Sequence, residues 1–280
     1  MKKEWTQYNI KTNDAVSLSV NIIGEGKPLL LIHGAVVDSE FFHDFAELMA
    51  DYYQVITYDR RGYGNSTFPG SSEESGYLSP DIMTGEQYYY LQADDAFKVL
   101  TEFAREPAVV LGCSAGAVAA MYLAVKYPSA VKKLFLHEPP LYGIIKDNKY
   151  VWDNISQIKE NILAEKYNRA LNNFILFVST SRISKKPMTE HEIEFFMHNG
   201  LNYIKNEYLM TFGSNIIPEK IPEETNAMIL IGQESLNTHM AVTARRLSEY
   251  FGISLAEMPG GHNAARDDSP EFAKKLLSLI

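Results

Sequence analysis

Gly112-Cys113-Ser114-Ala115-Gly116 sets a serine between two glycines, each two positions away. The apolar run 108–111 precedes it and a small-residue helical pattern over 114–126 follows. A serine at so sharp a strand-to-helix turn takes strained dihedrals that lift its hydroxyl above the sheet edge. Its neighbours two residues away stay small because the strand and helix backbones nearly touch. The helix start adds partial positive charge and free N–H groups, both useful to an anionic intermediate. A serine hydroxyl is a poor nucleophile until a base takes its proton. Gly260-Gly261-His262-Asn263 offers that base late in the chain, after the short run 253–258. A helix opened by Ser269-Pro270-Glu271 follows, reading as a cap, a proline at the first position and an acid in the first turn.

A second patch, Leu30-Leu31-Ile32-His33-Gly34-Ala35, ends an early buried run. The backbone N–H of Ala35, paired with that of Ala115, is expected to form an oxyanion hole. His33 reads as a structural residue hydrogen-bonded within its loop. Asp59-Arg60-Arg61-Gly62-Tyr63-Gly64-Asn65-Ser66 reads as a tight loop held by internal hydrogen bonds, structural in role.

The elements that must position these groups follow from periodicity. Residues 5–10 and 16–23 suggest paired strands, the second placing Val16, Leu18, Val20 and Ile22 on one face. Short apolar runs at 28–32, 54–58, 108–111, 131–136 and 227–231 suit strands buried on both faces of a parallel sheet. Helical patterns at 41–51, about 86–103, 114–126 and about 238–251 separate most of them. Such alternation predicts right-handed crossovers and a covered parallel sheet. The rhythm breaks between Leu136 and Ala227, where no strand pair is evident and helical stripes appear, such as Trp152, Ile155, Ile158 and Ile162. A structureless loop of that size is implausible, so this stretch is expected to be a helical cap lying on the sheet. Residues 141–222, the range expected for this cap, carry ten basic and nine acidic residues, which argues against a strongly charged substrate.

Composition excludes several classes. In 280 residues, 26 Lys and Arg stand against 35 Asp and Glu, a net −9 that speaks against a nucleic-acid surface. One cysteine rules out an internal disulfide and most cysteine-based metal sites; Cys113 reads as a small buried filler. The uncharged stretch 107–125 approaches the length of a membrane span, but the Gly112–Gly116 turn breaks it into strand and helix. No apolar run follows the first lysines, so a cytoplasmic location is expected. His191-Glu192 with His198 lacks zinc spacing, and no glycine-rich phosphate loop is present.

These four motifs, taken in order, resemble the α/β-hydrolase fold superfamily over essentially the whole chain: the His-Gly strand end, the D-x-R-G-x-G-x-S loop, the G-x-S-x-G turn and the terminal G-G-H. The resemblance implies an α/β fold: a mostly parallel eight-stranded sheet flanked by helices, with a helical cap inserted after the sixth strand. It also implies a Ser–acid–His triad and no cofactor. The acid departs from the family's usual pattern, an aspartate in a G-x-x-D turn after the seventh strand. Here that turn is Gly232-Gln233-Glu234-Ser235, with Ser235 in the acid's slot and Glu234 one residue early. Another carboxylate ends the sixth strand in Leu136-His137-Glu138-Pro139-Pro140, 24 residues after Ser114. A subgroup of haloalkane dehalogenases is similar in keeping its acid as a glutamate there, with an aspartate nucleophile that this chain lacks. Glu138 is preferred and Glu234 stays as the alternative, because a one-residue shift re-aims a side chain by a large angle.

The expected organisation is a core of residues 1–140 and 223–280 with a cap over 141–222. The expected chemistry is a cofactor-free and metal-free serine hydrolase cleaving an ester-like or other acyl bond of a small, fairly apolar molecule. Ser114, His262 and Glu138 would form the triad, with Ala35 and Ala115 as oxyanion donors. A lyase or perhydrolase-type reaction at the same site, and a non-catalytic ligand receptor, are the competing readings. The expected partner is a small-molecule substrate, with neither nucleic acid nor membrane, and a homo-oligomer is left open.

Overall fold

In a computed structural model, which describes residues 3–14, 16–67, 83–179, 184–212 and 216–280, the apolar runs form eight strands. These are β1 (Thr6–Lys11), β2 (Ser17–Ile23), β3 (Pro28–Ile32), β4 (Gln54–Tyr58), β5 (Ala108–Cys113), β6 (Val131–His137), β7 (Met228–Gly232) and β8 (Ser254–Met258). They join one sheet in the order β1-β2-β4-β3-β5-β6-β7-β8. β2 pairs antiparallel with both β1 and β4, and every other neighbouring pair is parallel. Every residue of β3 and β5 is buried, as required of strands covered by helices on both sides. β1, at the antiparallel edge, buries only Ile10.

The core helices are α1 (His43–Met49), α2 (Gly85–Phe103) and α3 (Ala115–Lys126). Between β6 and β7 run α4 (Lys149–Leu163), α5 (Tyr167–Val178), α6 (Glu190–Asn202), a π-helical turn (Tyr203–Glu207) and α7 (Tyr208–Phe212). α8 (His239–Phe251), α9 (Ala264–Asp267) and α10 (Ser269–Leu277) complete the chain. Because successive strand residues point to opposite faces, Val110 packs in the layer with α2, α3 and α8. Val109 and Leu111 pack in the layer with α1 and α10. Val16, Leu18, Val20 and Ile22 all join the first layer, in keeping with their alternation. The helices between β6 and β7 enclose a third apolar cluster, built on Ile155, Ile158 and Ile162 from α4 and Phe174 and Phe177 from α5. Within the expected cap range, residues 180–183 and 213–215 lie outside the described residues.

Two expectations need correction. The helix expected over 41–51 is a 3-10 turn, Ser39–Phe42, followed by α1, because the Asp38 side chain accepts the Glu40 N–H and caps the chain earlier. Ser269 is not an N-cap. It is the first residue of α10, and its hydroxyl donates back to the carbonyls of Ala265 and Arg266. The uncharged stretch 107–125 is divided between β5 and α3, and among the described residues no helix is long and apolar enough to cross a membrane.

The glycines around the β5–α3 turn show how closely the layers meet. A Cβ on Gly116 would lie 2.2 Å from the Ile32 carbonyl oxygen and 2.3 Å from that of His33. One on Gly112 would lie 2.4 Å from the Gly116 carbonyl oxygen. Gly116→Ala is therefore expected to cost about 1–3 kcal/mol or more through overpacking. It should appear as a lower urea midpoint at unchanged slope, and an unmoved midpoint would contradict so close a crossing.

Candidate active site

Ser114 follows β5 directly, at φ 55° and ψ −126°, and α3 begins at the next residue. A non-glycine residue in that region is strained and persists only where its surroundings over-determine it. Here the Ser114 N–H is held by the His137 carbonyl at 2.9 Å, and the Ser114 carbonyl accepts from Ala117 N–H at 2.8 Å. Ala115 is the first residue of α3, so its N–H has no intrahelical acceptor. The loop after β3 passes against the serine: a Cβ on Gly34 would lie 3.0 Å from Ser114 Cβ and 3.6 Å from its Oγ. Val36 on that loop also has a positive φ of 57°, a costly conformation for a β-branched residue.

His262 sits on the loop between β8 and α9. The loop folds back because Gly260, at φ 78°, and Gly261 pack on Gly232, where a Cβ would lie 2.7 Å from the Gly260 carbonyl oxygen. The His262 ring meets Glu138, with Nδ1 2.7 Å from Oε2, while Oε1 accepts the Gly232 N–H at 2.9 Å. Glu138, at φ 47°, is itself strained, and its N–H is held by the Leu230 carbonyl at 3.0 Å. Burial alone would push this carboxyl up; the hydrogen bond from His262, joined by smaller favourable contributions around it, outweighs that push, and the group rests at about 2. An ionised carboxylate only accepts, so Nδ1 must donate and the neutral ring keeps its lone pair on Nε2.

Glu234 is elsewhere. Its carboxylate pairs with Lys185 at 2.7 Å and is partly exposed. His33 is fully buried: Nε2 accepts the Arg60 N–H, Nδ1 donates to the Gly34 carbonyl, and burial holds the ring well below its ordinary value. Asp59 braces its loop as expected, accepting from Ser39 and from the Asn65 N–H. Arg60 reaches beyond that loop to a carboxylate the sequence reading did not single out, Glu207. Of the weak zinc-like string, His191 faces Asp38 at 3.1 Å and Glu192 pairs with Arg266 at 2.6 Å. Cys113 is buried, which pushes its thiol up and keeps it protonated.

Ser114, His262 and Ala35 line one cavity of about 580 Å³. Its far wall is apolar, made by Phe174, Ile175 and Val178 of α5 with Phe196 of α6. The cations at its edge are matched: Lys185 by Glu234 and Asp268, Lys186 by Asp44, Arg266 by Glu192 and Asp267. Beneath the site, His137 is fully buried, its ring 6.3 Å from that of His262, and burial lowers it to about 4. His239 is lowered likewise, to about 4. Both imidazoles are neutral in the fold and take up a proton on unfolding below their ordinary value of 6.5. These two groups contribute a loss of stability as pH drops from 6.5 towards 4, at up to about 1.4 kcal/mol per pH unit each, while the buried Asp95, raised to about 6, works in the opposite direction. Glu138 is ionised in the fold and adds a further loss as pH falls from 4.5 towards 2. Urea midpoints against pH check both, and Glu138→Gln should remove the second loss and extend the first to lower pH, since the Glu138 charge raises both imidazoles.

The family described as alpha/beta hydrolase fold matches residues 27–192 of this chain. The uncharacterized hydrolase YraK of Bacillus subtilis (strain 168) is 26% identical over 275 residues, covering 94% of this chain and 92% of that protein. Among solved structures, the esterase EaEST from Exiguobacterium antarcticum aligns with a TM-score of 0.69 at 17% identity, covering 98% of this chain and 99% of that one. The epoxide hydrolase CorEH aligns with a TM-score of 0.67 at 15% identity, covering 98% of both chains. At these identities the structures are alike in fold alone. With more than half its length matched by the family and the sheet order described above, the chain belongs to the alpha/beta hydrolase fold family.

Proposed function

We propose that this chain is a cofactor-free serine hydrolase, carboxylesterase-like, that cleaves an ester-like or other acyl bond of a small, fairly apolar molecule in the cytoplasm. Ser114 attacks the carbonyl carbon while Nε2 of His262 takes its proton. Glu138 holds the imidazole in the required tautomer and stabilises the cation that forms. The N–H groups of Ala35 and Ala115 receive the oxyanion, a contribution of about 3–4 kcal/mol per donor in comparable sites. Collapse of the tetrahedral intermediate expels the alcohol, protonated by His262, and leaves an acyl-enzyme. Water, deprotonated by the same ring, then releases the acid. The helices between β6 and β7 act as a cap that shapes the pocket and excludes bulk water.

The observation that carries this reading is the conjunction of a strained serine between β5 and α3 with a histidine on the same cavity that is hydrogen-bonded to a buried, ionised glutamate. The apolar cavity wall and the matched charges at its edge favour an uncharged acyl group. The esterase name of the Exiguobacterium structure agrees with this chemistry, and the serine at position 114 suits acyl transfer.

A panel of chromogenic esters of short acids tests the proposal. Ser114→Ala should abolish turnover, and Glu138→Gln should lower kcat by about 10⁴-fold, as loss of the orienting acid does in a serine protease triad. Glu234→Gln should change it little. The reverse ranking of the two glutamates would move the acid to the turn after β7. Undiminished turnover by Ser114→Ala would end the serine mechanism.

A further inference from the structure

Arg60 is fully buried, and its guanidinium is engaged on every nitrogen. Nε donates to the His33 carbonyl at 3.0 Å and Nη2 to the Gly34 carbonyl at 3.0 Å. Nη1 donates to both carboxylate oxygens of Glu207, at 3.0 and 3.1 Å. The Gly34 carbonyl also accepts from Nδ1 of His33 at 2.9 Å, and His33 is itself fixed by the Arg60 N–H. Two donors thus grip one carbonyl oxygen. In a trans peptide the carbonyl of one residue and the N–H of the next point in opposite directions. Holding the Gly34 oxygen towards Arg60 therefore turns the Ala35 N–H away from Arg60. Ala35 lines the cavity, beside a glycine packed against Ser114.

Glu207 ends the π-helical turn between α6 and α7, on the segment inserted between β6 and β7, and is fully buried. Besides Arg60 it accepts hydroxyl hydrogens from Tyr63 at 2.5 Å, Tyr88 at 3.3 Å and Tyr89 at 3.4 Å. Burial, and after it the Glu207 carboxylate, raises all three phenols, so they remain donors. An ion pair buried this deeply is a poor stabiliser compared with apolar side chains of similar size. π-turns inside helices also recur at functional positions. Together these features call for a role beyond holding the fold.

We propose that Glu207 is a positioning residue for the oxyanion hole. It fixes the Arg60 guanidinium in the orientation that grips the His33 and Gly34 carbonyls, and so aims the Ala35 N–H at the oxygen of the intermediate formed on Ser114. The inference rests on the acyl-enzyme reading above. It makes the donor dependent on the inserted helices being seated on the sheet, since Glu207 arrives with them and Ala35 does not.

The test measures kcat and KM per active site, counted by stoichiometric fluorophosphonate labelling of Ser114, in wild type, Glu207→Gln and Arg60→Lys. Glu207→Gln keeps the shape and an acceptor for the tyrosines but weakens the grip on Arg60. Arg60→Lys keeps both buried charges but cannot reach three acceptors in a fork; it carries the test if Glu207→Gln fails to fold. For each folded variant, kcat per labelled site should fall by about 10²-fold, the loss expected of a donor misplaced by about 1 Å. KM should change little. Affinity for a trifluoromethyl ketone, which adds to the serine and forms an oxyanion, should fall in proportion to kcat/KM. A purely structural role would lower the number of labelled sites and leave kcat per site unchanged, which would overturn the proposal. Wild type that neither takes the label nor hydrolyses esters would overturn the acyl-enzyme reading and this inference with it.

Discussion

A carboxylate in an apolar interior must be paired or protonated, and Glu138 is paired: with His262 at 2.7 Å on one oxygen and the Gly232 N–H at 2.9 Å on the other. That carboxylate ties together the ends of β6 and β7 and the loop after β8. Its demands explain much of the surrounding backbone. Glu138 accepts a positive φ to turn its side chain inward, and glycine stands at 232 and 260 so that the histidine loop can close over β7. The strain at Ser114 is balanced in the same region, since its N–H is held by the carbonyl of His137, next in sequence to Glu138. Ser114 and Glu138 are thus neighbours across the parallel β5–β6 pair, each just past the end of its strand.

The inserted helices are joined to this frame by polar contacts of two kinds. Near the surface, Lys186–Asp44 and Lys185–Asp268 link the segment before α6 to the core, but pairs this exposed contribute little. Deeper, Asn199 of α6 donates to Asp38 at 3.0 Å and accepts the Gly64 N–H at 2.9 Å, and Glu207 grips Arg60. Such buried contacts tolerate only one geometry, because every unmet polar group would be left without water. They sit beneath α5 and α6, whose apolar residues form the cavity wall, so the pocket's shape and the loop beside Ser114 are set by the same seam.

What was legible in the sequence was local. The strand at 28–32 is apolar throughout and that at 54–58 is built on Val55, Ile56 and Tyr58, and both occupy the ranges their composition implies. Ser114 at its turn and His262 on a glycine loop announce themselves within a few residues. Glu138 stands out because an acid directly after an apolar strand needs a partner, and spacing brings it to the serine's edge of the sheet. Glu207 carries no such mark: it lies in a helical segment that says nothing of burial at that position, and its partner Arg60 is 147 positions away. Arg60 looked structural because its motif is a tight loop; the side chain's reach out of that loop depends on tertiary packing. The 3-10 turn before α1 was missed for a smaller reason, a side-chain cap by Asp38 that competes with the helical pattern.

The central claim is that a covalent acyl group forms on Ser114 during turnover. Rapid quenching of the protein with an activated ester of a short acid, followed by intact-mass measurement and peptide mapping, addresses it directly. The account predicts an adduct of one acyl mass that maps to the peptide containing Ser114 and decays as product appears. Steady turnover with no adduct, or an adduct mapped to another residue, would contradict it.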